Sequence, residues 1–419
     1  MSPRSPIRRI SEVDKARISQ EILQSMTLIV ASNRGPVSLH NGPQGEMEVQ
    51  RSGGGLVTAL LGIAQNTELH WVVAAQNDVE KEWKAGTLQL AEDGHPLNLS
   101  FVNASKETYD GYYNVIANPL LWFLQHSMWD FVTSPNITRE TWTAWEQGYV
   151  EMNRLFAQAL AEQVRSSPKP ALVMLQDYHL YLAPRFLRGL LRKRADYTLT
   201  HFIHIPWPGP EDWGILPKDM RMAILEGLTA VDLLGFQTKD DALNFIRTVE
   251  SFLPHAHVSY KKGSVWYRNH TTTVSDFPIS LDVNALQTLA ATDEVAQYRS
   301  QFEEGSDDMQ TYDVLLVNSI ADGMNLVAKE GPIVNRHNGV VVLSESTGAR
   351  QQLEPGALVI SPCDIYSTAE ALHHALVMPA AERQVRADQL RQIITENDIN
   401  AWLRDQLVSI QQIRTRAPD

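Results

Sequence analysis

The stretch from Leu199 to Pro217, LTHFIHIPWPGPEDWGILP, constrains this chain more than any other. Its first half alternates and is β-prone, so Leu199 to Ile205 is expected to form a buried strand. Its second half carries Pro206, Pro208, Gly209 and Pro210, which stop strand and helix alike. His204 therefore stands where a strand gives way to a rigid loop, and in open α/β sheets ligands bind at that carboxyl edge. Trp207 and Trp213 stiffen the loop, so it loses little further entropy on binding. Taken alone, the segment fits a core histidine beside a structural loop equally well.

Strands and helices alternate around this stretch. Thr27 to Ser32 (TLIVAS) reads as a strand running into the NRGPV loop, and Gly53, Gly54 and Gly55 precede an expected helix over Leu56 to Ala64. Strand, glycine-rich loop and helix together present free N–H groups to an anion, although neither a P-loop nor a GxGxxG pattern is completed. A plain flexible turn is the alternative. Further strands are expected at His70 to Ala75, Leu97 to Val102, Ala171 to Leu175 and Leu233 to Gln237, with short β segments over Trp266 to Phe277. Helices are expected at Arg139 to Arg165, Arg185 to Arg194, Lys218 to Gly227 and Lys239 to Phe252, and the aromatics of Tyr109 to Asp130 read mainly as a helical packing face. After Ser280, strands are expected at Tyr312 to Asn318, Gly339 to Leu343 and Leu358 to Ile360, and helix from Asp364 to Leu407. The pattern is α/β with a mainly parallel sheet. The expected division is a polar arm with a short helix over 1–25, a first lobe over 26–280, a second over 281–400, and a C-terminal helix over 401–419.

Composition narrows the partners. At 419 residues the chain suits two domains, and 43% hydrophobic with 20% charged residues argues against disorder. A formal net charge of -13 disfavours nucleic acid or an anionic membrane, so any phosphate must be held by local groups. The single cysteine, Cys363, excludes an internal disulfide and fits a reducing cytoplasm. The opening MSPRSPIRRISEVDKARISQ has no apolar core, and no run approaches the ~20 apolar residues of a membrane span. The expectation is a cytoplasmic protein. His201 and His204, three apart on an expected strand, would face opposite sides, and no other ligand cluster appears, so no metal is expected.

One more turn carries chemistry. Asp322-Gly323-Met324-Asn325-Leu326 follows a strand end and opens a helix, offering N–H groups to a sugar hydroxyl or a diphosphate. Asp322 as a cap for that helix is the alternative. Glu330, about two turns on, is placed to grip a ribose diol, which an acceptor-only carboxylate matches.

In order along the chain, SNRGPV, RSGGGL, YYNVIANPLLW, QDYHL, HFIHIPWPGPEDWGILP, DLLGFQT, DFPISLDV and DGMNLVAKE are similar to motifs of the trehalose-6-phosphate synthase family, and cover most of residues 27–345. The resemblance implies a GT-B fold: two Rossmann-like lobes with a cleft between them. It implies a retaining hexosyltransferase that passes glucose from a nucleotide sugar, usually UDP-glucose, to glucose 6-phosphate, with no cofactor beyond that substrate. Position by position, Arg34 and Tyr113 would bind the acceptor phosphate, and Trp122 and Asp177 the acceptor sugar. Gly54 and Gly55 would lie under the donor diphosphate. His204 would contact the donor glucose, and Asp322, Gly323, Met324 and Asn325 its hydroxyls, with His204 and Asp322 nearest the chemistry. Leu326 and Val327 would lie by the diphosphate and nucleotide, and Glu330 would hold the ribose.

The chain also departs from that family. Members carry an arginine and a lysine that clamp the donor diphosphate, followed by a further acceptor-side arginine. Here the only basic residues between Leu281 and Glu330 are Arg299 and Lys329, neither in such a motif. A doubly wound lobe has about six strands, and only three are expected after Ser280, so the second lobe reads as shortened. Gln176 stands where the family usually has histidine. HIPWPGPEDWGILP and VNRHNGVVVLSESTGA also resemble pseudo-glycosyltransferases that couple cyclitols through nitrogen; glucosylglycerol-phosphate synthases and a non-catalytic sugar-phosphate-binding regulator are further alternatives. The sequence leaves room for a homo-oligomer.

Overall fold

The computed structural model describes residues 10–42, 46–51, 69–83, 86–88, 97–128, 136–296 and 309–415. The expected helix over Leu56 to Ala64, with Gly54 and Gly55 before it, lies outside the described residues, as does Arg299. The chain divides into two compact units, Met1–Phe277 with Arg404–Asp419, and Pro278–Leu403.

The first unit is built on one large sheet. In chain order its strands are β1 (Thr27–Ser32), then, after the hairpin β2 (Val37–Asn41) and β3 (Met47–Arg51), β4 (Leu69–Ala74), β5 (Gly86–Leu88), β6 (Leu97–Val102), β7 (Ala171–Gln176), β8 (Tyr197–Phe202), β9 (Leu233–Phe236), β10 (His257–Ser259), β11 (Ser264–Tyr267) and β12 (His270–Asp276). Their order across the sheet is β10-β11-β12-β9-β8-β7-β1-β4-β6-β5. Every neighbouring pair from β12 through β6 is parallel, and the flanking pairs are antiparallel. β7 (ALVMLQ) is buried at every position, as a parallel strand covered on both faces requires. In register, Leu175 lies opposite Ala31 of β1 on one side and His201 of β8 on the other. The carboxyl ends of β1, β7 and β8 therefore lie side by side, and the residues that follow them share one edge.

β8 stops at Phe202, three residues short of the strand expected to reach Ile205. Ile203 still donates to Gly235 O at 2.9 Å, but the next amide, His204 N, turns to the side chain of Asp177 at 3.2 Å. A side-chain acceptor ends the strand before the prolines do, so His204 does not share the strand alternation that His201 follows. Trp207 and Trp213 are fully buried and stack on each other, centroids 4.1 Å apart. Trp207 N donates to Asp241 Oδ1 at 2.8 Å. Their rings hold the loop to the core rather than lining a surface.

Helices Gly111–Trp122 and Ala144–Val150 are both wound with the wide π turn, which is uncommon and concentrates at functional sites. They cross backbone to backbone: a Cβ on Gly148 would stand 2.5 Å from Tyr112 N and 2.6 Å from Gly111 C. No rotamer change relieves a clash with backbone. Gly148→Ala is expected to lower unfolding free energy by about 3 kcal/mol, read as a drop in the urea midpoint at constant m-value; an unchanged midpoint would mean that the crossing relaxes.

The short helix expected in the N-terminal polar arm is Glu12–Ser25, 14 residues long and capped by Ser11. Lys15, nearly buried, meets both Glu12 and Asp405 at 2.8 Å. The β2–β3 hairpin was not expected; each strand is only five residues, so its alternation is too brief to stand out.

The second unit has a small parallel sheet, β13 (Val314–Val317), β14 (Val340–Ser344) and β15 (Leu358–Ile360), in that order. Val340, Val342 and Ile360 pack against Ala375 and Met378 of the helical region that follows. Three strands are found among the described residues, where a doubly wound lobe has about six. Among the described residues, no helix is long and apolar enough to cross a membrane.

Candidate functional site

At the carboxyl edge of the first unit, Arg34 lies two residues past the end of β1 and is exposed. Its guanidinium donates to Tyr113 Oη at 3.3 Å and its carbon lies 5.9 Å from that ring's centre. Tyr113 is stacked between Tyr109 and His179, at 5.7 and 5.8 Å. Tyr178, also against His179, donates to Asn118 Oδ1 at 2.8 Å. Burial, then the nearby charge of Arg34, pushes His179 down to about 3, so it is neutral and the stack holds one cation.

Asp177 follows β7 with φ 69° and ψ 176°, a backbone region essentially reserved for glycine. Sequence reading had no signal for this strain, because only the backbone shows it. The strain is held by three bonds: Asp177 N donates to Phe202 O at 2.7 Å, its carbonyl accepts from His201 Nε2 at 2.9 Å, and Oδ1 accepts from His204 N. Burial pushes the Asp177 carboxyl up to about 7, against the pull of the His204, Tyr178 and Ile205 amides.

His204 sits between two glutamines. Gln176 Oε1 accepts from His204 Nε2 at 3.0 Å, which fixes the proton on that nitrogen, and Gln237 Nε2 approaches Nδ1 at 3.5 Å. Burial, with His201 beside it, holds the ring down at about 3, so it is neutral at any physiological pH. Gln176 Nε2, His179 Nε2 and His201 Nδ1 are buried without a hydrogen-bond partner in the protein. Three such atoms in one neighbourhood are unusual in a native structure. Trp122 lies further along the same helix as Tyr113 and packs on His126, 4.0 Å away, and Phe123.

The second unit carries the other expected residues in one turn. Asn325, not Asp322, caps the helix Val327–Val334: its Oδ1 accepts from Ala328 N at 3.1 Å, and its backbone is left-handed at φ 65°. Asp322 instead accepts from Asn325 Nδ2 at 2.9 Å and bridges to Thr347, while Ala349 N donates to Met324 O at 2.9 Å. The Asp322-to-Asn325 turn is thereby pinned on both sides, with Gly323 and Met324 buried and Val327 exposed. Burial pushes half-buried Glu330 upward.

Lys329 is withdrawn from solvent, 1% exposed, and its Nζ donates to Ile279 O at 2.7 Å and Gln352 Oε1 at 2.6 Å. Burial pulls it down to about 7, and a neutral amine has two N–H donors, both used here. This group belongs to the scaffold and cannot clamp an anion. Lys329→Met is expected to destabilise by about 2 kcal/mol near pH 7 by removing two buried hydrogen bonds. Between about 7 and 10.5 the folded wild type binds fewer protons than the unfolded chain, so its stability rises with pH there; the variant lacks that rise and the deficit widens toward pH 10. Urea midpoints at pH 7 and pH 10 test this, and a deficit that narrows would contradict it.

Among the described residues, no group of three or more His, Cys, Asp and Glu could hold a metal ion.

A family model described as glycosyltransferase family 20 matches residues 26–311 and 299–412, two pieces that overlap just ahead of β13. A UDP-forming alpha,alpha-trehalose-phosphate synthase of Candida albicans is 26% identical over 471 residues, covering 90% of this chain and 95% of the relative. A trehalose-6-phosphate synthase of Mycolicibacterium smegmatis is 29% identical over 481 residues, covering 90% of each. Both alignments are longer than the 419-residue chain, so the relatives carry segments with no counterpart here. Among solved structures, a UDP-forming synthase from Burkholderia xenovorans superposes with TM-score 0.75 at 23% identity, covering 93% of this chain and all of that one. An E. coli structure described as bound with UDP-2-fluoro glucose gives TM-score 0.73 at 23% identity, with 94% and 100% covered. The fold is thus of the GT-B type.

Proposed function

The chain belongs to glycosyltransferase family 20, and on that premise we propose that it transfers glucose from UDP-glucose to glucose 6-phosphate with retention, giving trehalose 6-phosphate. The observation that carries this reading is the Arg34–Tyr113–His179 stack beside Asp177 and His204 on one sheet edge. It offers a single exposed guanidinium for a phosphate, a phenol hydroxyl that aims that guanidinium, and a carboxylate to accept hydroxyls. The names of the related synthases support the same substrates.

In this reading Arg34 and Tyr113 take the acceptor phosphate, and Trp122 and Asp177 the acceptor sugar. His204, a neutral ring oriented by Gln176 and Gln237, contacts the donor glucose. Asp322 and the backbone of Gly323, Met324 and Asn325 receive its hydroxyls, Leu326 and Val327 lie by the diphosphate and nucleotide, and Glu330 takes the ribose diol. For Gly54 and Gly55, outside the described residues, the family resemblance implies a role toward the diphosphate. The chemistry is electrostatic: fixed donors stabilise the leaving UDP while the acceptor hydroxyl attacks from the same face. No cofactor beyond the nucleotide sugar is required.

A second reading keeps the acceptor side alone, as a sugar-phosphate-binding protein without transfer. It is favoured by the burial of Lys329, which takes that cation out of reach of a diphosphate, and by the three-stranded sheet described for the second unit.

Calorimetric titration with UDP-glucose, UDP and glucose 6-phosphate, each alone, separates the two. The enzyme reading expects saturable donor binding, followed by detection of trehalose 6-phosphate when both substrates are present. Binding of glucose 6-phosphate with no donor binding would overturn it in favour of the second.

A further inference from the structure

The hairpin joining β11 to β12 carries an arginine where the backbone least favours one. Tyr267 and His270 pair across the ladder, leaving Arg268 and Asn269 as a two-residue turn with φ of 50° and 61°. Such turns need both central residues left-handed and favour Asn-Gly or Asp-Gly. Asn269 suits its place, whereas Arg268 is strained there.

The strain holds the Arg268 guanidinium at the amino ends of β8, β9 and β12, the opposite edge of the sheet from Arg34 and Asp177. It meets Glu226, on the helix Lys218–Leu228, at 2.8 Å. Arg185, from the helix Ala183–Leu190, pairs with the same carboxylate, which also accepts from Tyr267 Oη at 2.9 Å. Close by, Arg188 pairs with Asp232 at 2.7 Å and His270 Nε2 donates to Val231 O at 2.9 Å. Three guanidiniums thus face two carboxylates, an excess of positive charge on a chain whose formal net charge is -13. One arginine would suffice to pin Glu226; the second adds repulsion between like charges unless something else shares it.

Arg185, Arg188, Glu226, Tyr267, Arg268 and His270 line a cavity of about 260 Å³. The side chains of Arg268 and Arg185 are 57% and 43% exposed, so a ligand can reach both guanidiniums and share them with Glu226, which is 12% exposed and keeps the Tyr267 hydroxyl. We propose that this cavity is a second anion site, separate from the acceptor pocket, which takes a phosphoryl group between Arg268 and Arg185. Paired guanidinium forks match the oxygens of phosphate bidentately, and the size suits inorganic phosphate or a compact phosphomonoester.

The test uses the full chain carrying Arg34→Ala, which silences the phosphate contact proposed for the acceptor pocket, and titrates it with inorganic phosphate by calorimetry. Saturable binding is expected, weakened at least tenfold by adding Arg268→Asn. Asparagine suits the left-handed turn, so that variant also keeps its fold, with a melting temperature raised by about 1–3 °C. Glucose 6-phosphate that displaces phosphate identifies a phosphomonoester as ligand, and failure to displace it identifies the free ion; both support the site. No saturable binding in the Arg34→Ala chain up to about 10 mM, or an affinity that Arg268→Asn leaves within twofold, would overturn it. Because Arg34 is absent throughout, these outcomes are independent of whether the chain transfers glucose.

Discussion

Asp177→Asn is expected to lower kcat/KM for glucosyl transfer by about 10²–10³-fold and, at the same time, to raise the melting temperature at neutral pH. On the proposed function, the rate loss follows from replacing the Asp177 carboxylate by an amide of the same shape, which accepts fewer hydroxyl hydrogen bonds and carries no charge. The stability gain follows from burial. The folded carboxyl titrates at about 7 against an unfolded value near 3.8, so the folded chain binds that proton more tightly. Its stability is fully present below about 3.8 and is lost as pH rises through 7, whereas asparagine has nothing to ionise. Wild type and variant should therefore melt alike near pH 4 and diverge by pH 8, the variant higher. Turnover of the wild type should rise with pH through about 7 as the carboxylate forms. Melting curves at pH 4, 6 and 8 with initial rates at each pH decide the matter; a constant gap in melting temperature would show that the carboxyl is not desolvated.

Arg34→Ala is expected to raise KM for glucose 6-phosphate by roughly 30–150-fold, equivalent to about 2–3 kcal/mol, while kcat changes only a few-fold. The guanidinium is exposed, aimed by Tyr113 Oη, and the one cation of the stack, since His179 is neutral. A phosphate bound there would lose its charge partner without any change to the reacting atoms, and interactions uniform between ground and transition states appear in KM. Arg34→Lys should recover part of the loss, because the charge returns without the planar fork. Exposure at this position predicts an unchanged melting temperature. A KM within twofold of wild type would remove Arg34 from phosphate recognition.

The parallel sheet was legible because its strands are long, apolar and separated by helical periodicity; β7 and the helix Lys239–Phe252 fall where the pattern puts them. The end of β8 was not, because a side-chain acceptor on Asp177, distant in sequence, intercepts the His204 amide. The same holds for the Asp322 turn. Residue type offered Asp322 as a cap, yet Asn325, able to adopt a left-handed backbone, supplies the side-chain acceptor, and the Asp322 carboxylate accepts from Asn325 Nδ2. The residues gathered at the carboxyl edge of the large sheet stand in motifs that the sequence displays; the strain at Asp177 and the paired amides on His204 depend on backbone angles and contacts that one sequence does not carry. Lys329 stands among residues proposed to face the donor, and only its burial reveals it as scaffold.

The contact between Lys15 and Asp405 bears on how the protein is made. The first unit takes its closing piece, Arg404–Asp419, from beyond the whole of the second unit. During synthesis the large sheet can form once β12 has emerged, but the helix Glu12–Ser25 must wait for a partner still to be translated. At ordinary translation rates that interval is on the order of ten seconds. Through it, the face bearing Lys15 and Ile22 is uncovered on the nascent chain, a natural point for a holding chaperone to engage and for any stalled or truncated product to aggregate.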